Sequence, residues 1–178
     1  MKSDIIRIDN QGNGFHDALE HTKKVAVFCG MNHKDTLQLE LMTEEMLSLA
    51  RSVTGEMQAS FWIEGDGSRF DLHLSTSTVM DKEKRSLLIS AASSRKNEAA
   101  KGFLGRLRDA FEQAMVAEPV RTDTDLPTDV LADLPHGVLG DTDWDGYERS
   151  VLRRLADDVK ISIRGGEVDV MVSKTFAE

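Results

Sequence analysis

The stretch MQASFWIEGDGSRFDLHL, residues 57–74, decides the fold. Met57, Ala59, Phe61 and Ile63 alternate with polar residues, and Phe70, Leu72 and Leu74 do the same beyond the break Gly65-Asp66-Gly67. Alternation on both sides of a glycine-bearing turn predicts an antiparallel hairpin with one buried face. The chain closes on a second hairpin, with Val159, Ile161 and Ile163 before Gly165-Gly166 and Val168, Val170 and Val172 after it. The opening run Asp4 to Ile8 is strand-forming, and the glycines and asparagines of 10–14 predict a turn behind it.

Each hairpin exposes an apolar face that has to be covered, and the segments between them are helical in period. Leu39, Met42, Met46, Leu49 and Val53 recur at spacings of three and four, with Asn32 placed to cap the helix, Asp35 in its first turn and Gly55 at its end. A helix from Phe15 to Cys29 precedes it, stopped by Gly30. Two more are expected over Asp81 to about Ser93 and Asn97 to about Ala117, the second with Phe103, Leu107, Ala110, Phe111 and Ala114 on one arc. A last helix carries Trp144, Tyr147, Val151 and Leu155 on one side. Amphipathic helices and one-sided hairpins are jointly satisfied by an α+β two-layer sandwich, with helices on one face of a mixed, mostly antiparallel sheet. Gly12 and Gly14 precede a helix without the further glycines or lysine of a dinucleotide or P-loop turn, which sets those two nucleotide chemistries aside.

Length and charge narrow the function. A chain of 178 residues, 40% hydrophobic and 30% charged, predicts a single folded domain over 1–178. Within it, residues 118–142 form an acidic connection bearing Pro119, Pro127 and Pro135. A net charge of −9 opposes nucleic acid and anionic lipid. No apolar run approaches the ~20 residues of a membrane helix, and the N-terminus lacks the basic and apolar regions of a signal peptide. Cys29 stands alone, so neither an internal disulfide nor a multi-cysteine zinc site is available. A cytoplasmic protein is expected.

The helix segment Leu41-Met42-Thr43-Glu44-Glu45-Met46-Leu47-Ser48-Leu49-Ala50, followed by a hairpin, resembles the N-box helix and following strands of the histidine-kinase-type ATPase (Bergerat) fold, nearest its anti-sigma-factor serine kinases. The resemblance covers most of residues 15–112 in element order. It implies helices on one face of a mixed sheet, with ATP between the layers under a mobile lid. In that family a glutamate, an asparagine four positions on and then an alanine share one helix face, the first polarising a water or hydroxyl and the second holding Mg²⁺. Glu45 and Ala50 match, while Leu49 replaces the asparagine and cannot bind magnesium.

The family's next box, Asp-x-Gly-x-Gly, falls on Leu74-Ser75-Thr76-Ser77-Thr78, where Thr76 is left to accept the adenine hydrogen bond. Gly102-Phe103-Leu104-Gly105-Arg106 resembles the glycine-rich lid, with Lys101 and Arg106 as its positive charges, and it reads equally as a tight helix crossing. The resemblance therefore implies a degenerate, regulatory ATPase-fold protein with at most weak ATP or ADP binding and no phosphotransfer, Mg²⁺ being compromised at Leu49. An interaction module without a nucleotide site, docking a protein partner or a second copy, is the alternative. An active ATP-dependent serine kinase using Glu45 as base comes last.

Other residues carry less. Glu45 sits at the edge of the apolar face beside Met42 and Leu49, and Glu44 points to solvent; a solvated edge residue is the plain alternative to a catalytic carboxylate. His16, His21, His33, His73 and His136 lack metal-ligand spacing, so no metal site is expected. Cys29 reads as a small buried hydrophobe. The hydroxyls Ser75 to Thr78 read as a ligand contact or a polar strand exit. Lys82, Lys84, Arg85, Arg95, Lys96, Lys101, Arg106 and Arg108 form the one local cationic run, a phosphate or acidic-partner site or a solvated helix face. Trp62 and His73 fall on the outward faces of their strands, a hint of a contact surface.

Overall fold

A computed structural model describes residues 1–9, 11–53, 58–100 and 151–177. Strand β1 (Ile6–Asp9) leads through a closed turn, in which the Asp9 carboxylate accepts hydrogen bonds from Gln11 N (2.9 Å), Asn13 N (3.1 Å) and Asn13 Nδ2 (2.7 Å), into helix α1 (Phe15–Phe28). Helix α2 (His33–Val53) follows after a short connection. Its start is capped as the sequence requires: Asp35 N donates to Asn32 Oδ1 at 2.9 Å, and Asn32 Nδ2 donates to Asp35 Oδ2 at 2.7 Å.

The two helices pack through apolar residues and one polar pair. Thr22 and Thr43 are both buried, their hydroxyls 3.0 Å apart, and they donate to Ala18 O (2.9 Å) and Leu39 O (3.0 Å) one turn back. A buried hydroxyl satisfied within its own helix avoids the cost of an orphaned polar group.

Strands β2 (Gln58–Asp66) and β3 (Arg69–Ser77) form the first hairpin. The ladder runs further than its sequence suggests. Gly65 and Asp66 belong to β2, opposite Phe70 and Arg69, and the turn shrinks to Gly67-Ser68. Gly67 stands at φ 74°, the left-handed region that a tight two-residue turn demands and glycine enters without strain. Helix α3 (Lys82–Ala91) begins on Asp81, whose carboxylate accepts from Lys84 N at 2.7 Å, and a short 3₁₀ turn occupies Glu98–Ala100. Of the helix expected over 97–117, all beyond residue 100 lies outside the described residues, as does the 118–142 connection. Residues 151–155 are helical and lead into β4 (Asp158–Arg164) and β5 (Glu167–Thr175).

Among the described residues five strands form one sheet in the order β1-β2-β3-β5-β4. Every neighbouring pair is antiparallel, which corrects the expected mixed sheet. Two helices rather than one separate β1 from β2, so the chain comes back reversed. The connection from β3 crosses to the far edge as β4, and the hairpin then returns β5 beside β3.

The side chains of one face, Ile6, Ile8, Ala59, Phe61, Ile63, Phe70, Leu72, Leu74, Val159, Ile161, Ile163, Val168, Val170 and Val172, are all buried. They join Ala18, Val25, Leu39, Met42, Met46, Leu47 and Leu88 of the helices in one core, an α+β arrangement with the helical layer on that face.

The far edge is sealed by side chains. Asn97 donates from Nδ2 to Ile163 O at 2.9 Å and accepts from Ile163 N at 2.8 Å, as a neighbouring strand would. Two turns of ladder away, Ser93 N donates to Val159 O (2.9 Å) and Ser93 Oγ accepts from Val159 N (2.8 Å). An edge closed this way cannot template another strand there.

Candidate functional site

Helix α2 and strand β3 are in contact across the two layers, and of the residues singled out by sequence Glu45 lies on the first and Thr76 on the second. On α2, Met42, Met46, Leu49 and Ala50 are buried and Glu44 is exposed, while Glu45 lies half-buried between them. Its Oε2 is shielded from solvent. The rotation of 100° per residue accounts for this: Glu45 is three positions from Met42 and four from Leu49, at the margin of the stripe that faces the sheet. Four residues on, where a metal-binding amide would have to be, Leu49 is only 8% exposed and belongs to the apolar core.

Thr76 points to the same face of the sheet and is 6% exposed. Its Oγ1 donates to Gln58 O at 3.0 Å, across the hairpin. That bond consumes the hydroxyl proton and leaves oxygen lone pairs to accept from a donor such as an exocyclic amino group. Immediately beyond, the backbone is tightly packed. Thr78 N donates to Gly166 O at 2.8 Å, and a Cβ on Gly166 would lie 2.7 Å from Thr78 O. The second glycine of the terminal turn thus allows the β4-β5 hairpin to close on the exit of β3.

Lys101, Gly102, Gly105 and Arg106 lie outside the described residues. The cationic run is split in what is described. Lys82, Arg95 and Lys96 are exposed, but Arg85 is 8% exposed, on the inner side of α3 with Leu88. Arg85 therefore does not belong to a solvated helix face, one of the two readings of that run. Cys29 is half-buried at the end of α1 rather than fully inside, because the helix ends there and Phe28 beside it is 74% exposed. Among the described residues no group of three or more His, Cys, Asp or Glu gathers in metal-binding geometry, and no helix is long and apolar enough to cross a membrane.

The opposite face of the sheet carries a row the sequence only hinted at. Register places Trp62 beside His73, His73 beside Met171, and Met171 beside Lys160. The Trp62 and His73 rings stack with centroids 4.8 Å apart and planes within 2°. The ammonium of Lys2 lies 5.3 Å from the Trp62 ring centroid, a cation–π contact on the indole. Both Lys2 Nζ (2.8 Å) and Trp62 Nε1 (3.2 Å) donate to Glu64 Oε1, and the lysine bond holds the Glu64 carboxyl below its ordinary range. His73 is half-buried, and desolvation pushes its imidazole below the usual histidine value. Its Nε2 is shielded from solvent with no hydrogen-bond partner among the described residues. Alternation alone put Trp62 and His73 outward; the signal for their pairing was equal distance from the hairpin turn, which a correct turn assignment would have supplied.

No protein-family model matches the chain, and no curated protein matches it.

Proposed function

We propose that the protein is a regulatory domain of histidine-kinase-type ATPase architecture, anti-sigma-factor-like, that binds adenine nucleotide weakly and does not transfer phosphate. The observation that carries this reading is the placement of Glu45 and Leu49 on α2. A half-buried carboxylate with one oxygen held out of solvent stands at the layer margin, where an ATPase of this type keeps its polarising glutamate. The adjoining metal-ligand position is filled by a core leucine. Thr76 supports the nucleotide half, since it lies on the sheet face that the helices cover and its hydroxyl, donating to Gln58 O, keeps acceptor capacity.

Without the Mg²⁺ ligand, the charge developing on a transferring phosphoryl group goes uncompensated, a deficit of several kcal/mol in the barrier. Binding without turnover suits a domain that changes its partner's availability rather than its chemistry.

Calorimetric titration of the full chain with ATP, with and without Mg²⁺, tests this. The expected result is a dissociation constant near ~1 mM or weaker, insensitive to Mg²⁺ and weakened by Thr76→Val, with no ADP released over hours. Mg²⁺-dependent tightening with turnover lost in Glu45→Gln would establish an active kinase or ATPase instead. No heat at millimolar ATP would remove the nucleotide and leave an interaction module.

A further inference from the structure

We propose that Asn13, in the turn between β1 and α1, is a site of spontaneous deamidation, and that the product unlocks the turn. The proposal uses none of the residues on which the nucleotide reading rests.

Three features bring the reaction to this residue. The first is its neighbour. Deamidation begins when the backbone nitrogen of the following residue attacks the side-chain amide carbon, and a Cβ on that residue stands in the way. Of Asn10, Asn13, Asn32 and Asn97, only Asn13 precedes a glycine. The fold keeps that glycine in place. Gly14 stands at φ 83°, in the left-handed region, and a Cβ there would lie 2.1 Å from Arg7 O.

The second is an unengaged nucleophile. Gly14 N donates no hydrogen bond among the described residues, whereas its carbonyl accepts from Ala18 N at 2.9 Å. The third is access. Asn13 is exposed, and so are the bonds that its N (3.1 Å) and Nδ2 (2.7 Å) donate to the Asp9 carboxylate. Exposed bonds of this kind break in local openings that need far less than global unfolding, and each opening frees the amide carbon to meet Gly14 N.

In the reaction the bond from Gly14 N to Asn13 Cγ forms and the Cγ–Nδ2 bond breaks, the proton of Gly14 N leaving with Nδ2 as ammonia. Water then opens the cyclic imide at either carbonyl, giving aspartate or isoaspartate, and nothing is oxidised or reduced. Aspartate puts a carboxylate where Nδ2 donated to Asp9, and the two like charges repel. The Asn13 amide is the first cause that holds the Asp9 carboxyl below its ordinary range, so its loss removes what favours that charge. Isoaspartate adds a carbon to the main chain directly before Gly14, where Arg7 O leaves little room.

The test is incubation of the full chain at mildly alkaline pH, read by peptide mapping in a mass spectrometer, with the blocked peptide acetyl-Gln-Gly-Asn-Gly-Phe-amide as a clock. The expected result is the mass shift of NH exchanged for O at residue 13, with Asn10, Asn32 and Asn97 unchanged. Asn13→Ser has no amide to lose and should show no shift in that peptide. Asn13→Asp reproduces the direct product. In it the amide hydrogens of Phe15 and Ala18, bonded to Gly12 O and Gly14 O, should exchange about tenfold faster than in the wild type, while those of the sheet keep their rates. Asn13 wholly intact when the clock peptide has reacted completely, or another asparagine reacting first, overturns the site. Unchanged exchange in Asn13→Asp overturns the unlocking.

Discussion

The two faces of the sheet are built from the same strands, with the register of one fixing the register of the other, yet they are stabilised differently. On the covered face, Phe61, Ile63, Phe70, Leu72 and Leu74 are buried under the helices. On the outer face, away from helices α1, α2 and α3, Trp62 and His73 are half-buried and held by stacking and by the Lys2–Glu64 pair. The covered face derives its stability from excluding water, at about 25 cal/mol per Å² of apolar surface. The outer face uses contacts worth roughly 0.5–1.5 kcal/mol each. Folding is thus decided on one side, which leaves the composition of the other free to serve recognition.

The widest test of that difference replaces neighbours in the chain that point opposite ways. Phe61→Ala opens a cavity beneath the helices and should cost about 3–5 kcal/mol. Trp62→Ala removes a larger side chain but only a stacked, half-exposed one, and should cost about 1–2 kcal/mol. Urea unfolding of both variants measures it, and equal losses would mean that the outer face is as closely packed as the core.

How much of this was legible in sequence follows from which forces act locally. The strands, the helices α1, α2 and α3 and the terminal hairpin were readable because period two and period 3.6 in apolar residues are local records of burial. Gly65 and Asp66 were read as turn because glycine usually marks one, but here Gly65 is buried in the ladder opposite Phe70. The all-antiparallel order was not readable, because it depends on how the chain crosses the sheet between β3 and β4.

At the candidate site, Glu45's marginal position was implicit in its spacing from Met42 and Leu49. The hydrogen bond from Thr76 to Gln58 was not, since it joins residues 18 apart. Asn97 was read only as the start of a helix. Its function is to imitate a strand for Ile163, 66 residues away, and nothing in its own neighbourhood announces that.

Asn97 also sharpens the comparison, because it belongs to the edge where the two faces end. Asn97→Ala leaves the buried N–H and C=O of Ile163 without their amide partner, which should cost about 1–3 kcal/mol. It also uncovers a β-strand edge, so the variant should self-associate more readily than the wild type. Unfolding experiments give the first quantity and light scattering at rising concentration the second. An unchanged midpoint together with an unchanged mass would show that the 3₁₀ turn, not the amide, protects β4.

The smallest effect distinguishes the faces by pH. His73 is held below its ordinary value of 6.5 first by desolvation; the carboxylates of Glu64 and Asp71 work to raise it and the ammonium of Lys2 to lower it. Folding therefore favours the neutral ring. At pH 8 the ring is neutral whether folded or not, and the shift contributes its full share of stability. As pH falls below 6.5 the unfolded chain takes up the proton first, so stability declines until pH passes the lower folded value, where the contribution is gone. Unfolding midpoints of wild type and His73→Phe between pH 8 and 5 should show a steeper acid-side decline in the wild type, the phenylalanine having no proton to gain. Parallel curves would mean that the Glu64 and Asp71 carboxylates fully offset the burial.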